Sequence, residues 1–259
     1  MKTLLALITI AAAASAQPAI APPQIGFAFD GANSLRPIYG IAGNFLAGSP
    51  ALTNVVDSSY SGSYGSVKTD TAIVTTNSQG QSIATTDAPA GPAFFAFNND
   101  GSPAFAYLPS AHLLLEWEGT GFQILPFNSG LFPPDSVRAI FAPDSSHVGV
   151  LVQRANGLTD IRVPIATGEE DSDTVVPGVR GPAIVLSTGQ LIYADPTGVM
   201  LRNPDGTEVH ILGSIPAHFS LAQIGAAWVQ LTDTSSGSQY AIRVAPGREG
   251  FYSLPEVNP

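Results

Sequence analysis

An all-β chain is predicted by three observations. Turn formers are abundant while charge is sparse: 26 Gly and 22 Pro accompany a charged fraction of 12%. Apolar runs are short and end in clusters of Gly, Asp, Asn or Ser, which supply positive φ or side-chain to backbone hydrogen bonds at turns. One layout then recurs: apolar run, turn, apolar run. Its anchors Phe95, Ile140 and Ile184 stand 45 and 44 residues apart, and Ile224 follows 40 residues later. Four short strands per unit of about 40 residues form the blade of a β-propeller. Gln24 to Pro259 is 236 residues, enough for about six such units. Rings of about five or seven blades, or a β-sandwich, are the alternative architectures.

The chain opens MKTLLALITIAAAASAQPA. Lys2 supplies a positive start, Leu4 to Ala14 an apolar run too short to span a bilayer, and Ala14-Ser15-Ala16 a small-residue cleavage site. Residues 1–16 therefore read as a secretory signal peptide, 17–24 as a Pro-rich linker and 25–259 as one propeller domain. The expected location is secreted or periplasmic. The chain has no cysteine, so no lipid-bearing thiol, disulfide framework or thiol nucleophile is available. No later segment is apolar enough to anchor the cleaved chain in a membrane.

The units follow in order. IGFAFDGANSLRPIYGI (25–41) and TAIVTTNSQGQSIATTD (71–87) each supply two strands. PAFFAFNNDGSPAFAYL (92–108), VRAIFAPDSSHVGVLVQ (137–153), GPAIVLSTGQLIYAD (181–195) and LAQIGAAWVQLTD (221–233) open four further units. Their third strands are LLLEW (113–117), DIRVPI (160–165), VMLRN (199–203) and YAIRV (240–244). Fourth strands follow in FQILPF (122–127), DTVVPG (173–178), VHIL (209–212) and FYSL (251–254). The first unit is short of strands, which predicts that the two ends of the chain share a blade and lock the ring.

The stretch AIFAPDSSHVGVLV (139–152) resembles the FSPDG phrase of TolB-like and WD40-like propeller repeats. GQLIYADPTGVMLRNPDGTEV (189–209) is similar to the GNLYVAD…PDGT phrase of NHL-type repeats. The resemblance implies the fold and no particular chemistry. It also has departures: there is no Trp-Asp dipeptide, and Ser145 follows Asp144 where Gly is usual.

Chemistry is thinly signalled. Asp144 is expected to cap the turn between the two innermost strands of its blade. None of His112, His147, His210 and His218 has the spacing of a metal-protease motif, and no nucleophile elbow or phosphate loop is present. The nearest elbow, GQSIA (80–84), lacks its final Gly and lies in a hairpin. The acidic run GEEDSD places Glu169, Glu170, Asp171 and Asp173 in one loop. Their mutual repulsion makes Ca²⁺ the one metal worth considering; otherwise no cofactor is expected. DSSYSGSYGS (57–66) offers Tyr60 and Tyr64 as aromatic faces for a glycan, with Trp117 and Trp228 as further platforms. In LLLEWEG, Glu116 and Glu118 share a strand face.

Ligand contacts are thus expected from Tyr60, Tyr64, Asp100, Asp144, His147 and Asp195, and metal contacts from the acidic run. The expected function is a non-catalytic exported binding module, monomeric, for an extracytoplasmic protein or glycan. The alternatives are a carbohydrate-active enzyme, which needs Asp100, Asp144, His147 and Asp195 to converge on one funnel, or a lectin-like binder. Ten Lys plus Arg against 20 Asp plus Glu make the surface acidic, which disfavours nucleic acid.

Overall fold

A computed structural model describes residues 22–256 apart from 31, 178, 180, 196, 213 and 214. The predicted signal peptide and most of the linker lie outside the described residues. The chain folds as six four-stranded antiparallel sheets, the blades of a propeller. Blade 1 comprises β1 (Gln24–Phe29), β2 (Ser34–Ile41), β3 (Asn44–Ala47) and β4 (Leu52–Thr53). Blade 2 comprises β5 (Val55–Tyr60), β6 (Tyr64–Thr69), β7 (Ala72–Asn77) and β8 (Ser82–Asp87). Blade 3 comprises β9 (Phe94–Phe97), β10 (Pro103–Leu108), β11 (Leu113–Trp117) and β12 (Phe122–Leu125). Blade 4 comprises β13 (Val137–Phe141), β14 (His147–Arg154), β15 (Gly157–Pro164) and β16 (Ser172–Pro177). Blade 5 comprises β17 (Ala183–Val185), β18 (Leu191–Asp195), β19 (Gly198–Arg202) and β20 (Glu208–Leu212). Blade 6 comprises β21 (Phe219–Gly225), β22 (Trp228–Asp233), β23 (Gln239–Arg243) and β24 (Gly250–Ser253).

The core sits between blades, because each sheet buries both faces against its neighbours. Tyr107, Leu114, Ile140, Val150 and Ile161 interlock blades 3 and 4. Ile192, Leu201, Val229, Leu231 and Ile242 do the same for blades 5 and 6. Two aromatic rings, the buried Tyr60 and the half-buried Phe141, lie flat on glycines across a strand pair. Tyr60 opposes Gly65 and Phe141 opposes Gly149, and a Cβ on either glycine would stand 2.1 or 2.3 Å from the ring. A larger residue leaves no seat for the ring.

Blade 1 departs from the repeat. The inner strands β5, β9, β13, β17 and β21 begin on one face of the ring. β1 runs the other way. Its start lies beside the far-face turns of blade 2, where Gln24 Nε2 donates to Ser78 O at 3.4 Å. Its end turns back near the start of β5, where Val55 N donates to Asn33 O at 2.9 Å. β3 and β4 both pair with β2, end to end on the same side.

The sequence-based expectation of a blade shared by both chain ends is corrected here. Among the described residues every sheet is built from consecutive strands. Side chains and a close backbone approach join the ends instead. Gln230 of β22 brackets Phe29: Phe29 N donates to its Oε1 at 3.1 Å, and its Nε2 donates to Phe29 O at 2.8 Å. Gln239 Nε2 donates to the same carbonyl at 2.9 Å. Farther along, β1 presses on β21 so tightly that a Cβ on Gly26 would lie 1.6 Å from Ile224 O. Only glycine permits that contact.

Candidate functional site

A cavity of about 610 Å³ runs along the first halves of the five parallel inner strands. Phe29, Gln230 and Thr232 complete its wall. Most of the lining is apolar, including Phe94, Phe95, Ile140, Phe219 and Leu221, with hydroxyls from Ser58, Ser59 and Ser220. Among the described residues, Asp57 and Arg138 are its only ionisable groups.

Local backbone irregularity sets Arg138. Val137 pairs with Val152 and Ala139 with Leu151, so Arg138 is the extra residue of a β-bulge. Bulges re-aim a side chain out of the regular alternation. The Arg138 Nη1 donates to the carbonyls of Asp135 at 2.8 Å and Val137 at 3.1 Å. The rest of the guanidinium has no carboxylate partner among the described ion pairs.

Asp57 follows a matching bulge in β5, where Val55 pairs with Thr69 and Asp57 with Lys68. Its Oδ1 accepts the Ser58 N–H at 2.8 Å. Burial pushes its carboxyl up to about 7, against the opposing pull of the Ser58 and Ala93 N–H groups. Lys68 does not neutralise it. That ammonium is buried and donates to the carbonyl of Thr69, and desolvation lowers its pKa while Asp70 acts to raise it.

The residues singled out from sequence lie elsewhere. Asp100 and Asp144 occupy inner hairpin turns at the far end of the ring. Asp100 accepts Ser102 N–H and O–H at 2.8 and 2.6 Å, and Asp144 accepts those of Ser146 at 2.7 and 2.8 Å. His147 Nδ1 lies 3.0 Å from Asp144 Oδ1. The His147 contact and the Ser146 hydrogen bonds hold the Asp144 carboxyl far below its usual range. Asp195 belongs to the β18–β19 turn on the opposite face, accepting Thr197 N–H and O–H at 2.6 Å. These four do not converge on one funnel, and none of them lines the cavity. The three aspartates act as turn caps, each carboxylate taking the N–H two residues on.

The glycan platforms and the acidic run also read differently in space. Tyr60 is buried, stacked on Phe27 at 4.6 Å, with Thr76 Oγ1 donating to its hydroxyl at 3.0 Å. Trp228 is buried against Phe45 at 5.5 Å, while Tyr64 and Trp117 are half-buried. Little of the Tyr60 and Trp228 rings reaches solvent, though both residues line a second cavity of about 570 Å³. The carboxylates of the acidic run are drawn apart. Asn128 donates to Glu169 at 2.9 Å, Arg154 lies 3.0 Å from Asp173, and His147 lies 3.6 Å from Asp171. Glu170 joins no metal-type cluster either: among the described residues, no three His, Cys, Asp or Glu gather to hold an ion.

Sequence reading missed Asp57 and Arg138. A signal existed: each is the only charge in its inner strand, VVDSSY and VRAIF. A charge in a strand that faces the ring axis has the channel as its outlet.

No protein-family model matches the chain, and no curated protein matches it in sequence. Solved structures do. A chain of the nidogen/laminin complex is 13% identical with a TM-score of 0.52, covering 90% of this chain and 99% of its own. A protein of unknown function from Bacteroides caccae is 13% identical with a TM-score of 0.49, covering 91% and 100%. BamB from Moraxella catarrhalis is 13% identical with a TM-score of 0.40, covering 88% and 77%. At 13% identity the likeness to the nidogen/laminin chain extends to the fold alone and assigns no family.

Proposed function

We propose that this chain is a non-catalytic, exported binding module whose ligand site is the cavity at the ring axis. One observation carries the reading. A water-accessible cavity of about 610 Å³ has a mostly apolar wall and, among the described residues, two ionisable side chains of opposite sign that form none of the described ion pairs. Binding sites combine these features within about 300–1,000 Å³. Glycosidase chemistry needs two carboxylates on opposite sides of a bond, whereas this lining offers Asp57 as its one described carboxylate. Export rests on the N-terminal sequence. An extracytoplasmic protein segment or glycan is the expected class of partner.

The test is a glycan and peptide array probed with the wild-type chain and with Ser220→Trp, which places an indole at the cavity from an exposed position. Ligands held by the wild type and lost by the folded variant support the reading. Ligands held equally by both place binding elsewhere and overturn it.

A further inference from the structure

We propose that the axial cavity takes a short peptide with both termini free, its ammonium on Asp57 and its carboxylate on Arg138. The inference rests on the cavity being the ligand site and goes further by naming the ligand chemistry. The argument starts from charge. The wall is mostly apolar, yet it carries one acid and one base, both half-buried, that form none of the described ion pairs, with each other or with a third group. They sit on β5 and β13, with β9 and its half-buried Phe94 between them. An extended ligand spans the intervening blade with its own charges set apart.

Each group also has spare capacity of the right kind. Asp57 accepts the N–H groups of Ser58 and Ala93, and a carboxylate has room for further donors. Arg138 spends Nη1 on two backbone carbonyls and keeps Nε and Nη2 as donors. That edge of the guanidinium is the one that meets a carboxylate in a bidentate pair. The wall between them is Phe94 with hydroxyls nearby, which suits apolar side chains and a peptide backbone.

The probes are Ala-Leu-Ala, its N-acetyl derivative and its C-terminal amide, measured by calorimetry at pH 8, where Asp57 is ionised. The wild type is expected to bind the free tripeptide at least 10-fold more tightly than either blocked form. Folded Asp57→Asn is expected to lose discrimination against the acetyl form alone, and folded Arg138→Gln against the amide alone. Equal binding of all three peptides, or no binding of any, overturns the proposal. A neutral glycan that binds the wild type and is lost in Ser220→Trp, with no peptide bound, leaves the cavity as ligand site and overturns only the peptide.

Discussion

The side-chain amide of Gln230 occupies the open edge of β1 as a neighbouring strand would, with Phe29 N–H donating to it at 3.1 Å and Phe29 C=O accepting from it at 2.8 Å. Blade 1 thus joins blade 6 through side chains and a close backbone approach rather than a shared sheet. Gln230→Leu removes both bonds and leaves the Phe29 N–H without its partner; Gln239 still reaches the carbonyl. The expected loss is about 1–3 kcal/mol, seen as a lower urea midpoint. Gln239→Leu is expected to cost less, because it removes one bond. An unchanged midpoint in Gln230→Leu would remove this amide from ring closure.

The glycines beneath aromatic rings make a second prediction. Gly149→Ala puts a methyl 2.3 Å from the Phe141 ring, which lies between that glycine and the Arg162 guanidinium at 4.7 Å. The ring has to leave its seat, so overpacking of about 1–3 kcal/mol is expected in thermal or urea unfolding. The double variant Gly149→Ala with Phe141→Leu is expected to recover part of that loss, since the smaller side chain has room to turn aside.

Asp57 gives a pH signature opposite to that of the turn aspartates. Its folded carboxyl titrates near 7 and its unfolded one near 3.8. The native state therefore holds a proton that the unfolded state has released between these values. Its contribution to stability is full below about pH 4 and is lost as pH rises through 7. The turn aspartates Asp100, Asp144, Asp195, Asp205 and Asp233 are lowered by their own turn hydrogen bonds, chiefly from side chains two or three residues on. They contribute above their unfolded values and lose that contribution in acid. Asp57→Asn is expected to gain stability over the wild type at pH 8 and to lose that advantage at pH 4. A difference independent of pH would contradict the burial argument.

What the sequence made legible follows from what repeats. Blade spacing, strand order and turn caps are local properties written several times, so Phe95, Ile140 and Ile184 reveal the period and Asp144 reveals its cap. The reversed first strand was not legible, because it breaks the repeat and its closure depends on Gln230, a residue 201 positions from Phe29. Tyr60 looked like a displayed ring among small polar neighbours. Those neighbours are small because the ring lies on Gly65. The two cavity charges were hidden for the related reason that Asp57 and Arg138 come to line one cavity only through closure of the ring.

Lys68 supplies the last prediction. Apart from Lys2 it is the only lysine in the chain, and it is wholly buried on β6. Its ammonium donates to the Thr69 carbonyl and forms none of the described ion pairs. Desolvation lowers its folded pKa below the unfolded value of 10.5, although Asp70 partly offsets this. The folded state thus binds fewer protons than the unfolded one as pH approaches 10.5 from below, and stability from this group rises with pH across that window. Lys68→Met removes the burial penalty, so it is expected to be more stable than the wild type at pH 7, with the gap narrowing toward pH 10. Acylation with an amine-reactive ester, read by peptide mapping, checks the burial directly. Lys68 is expected to stay unmodified in the native chain and to react fully in urea. Rapid native acylation would place the ammonium in solvent and remove the reason for the stability gain.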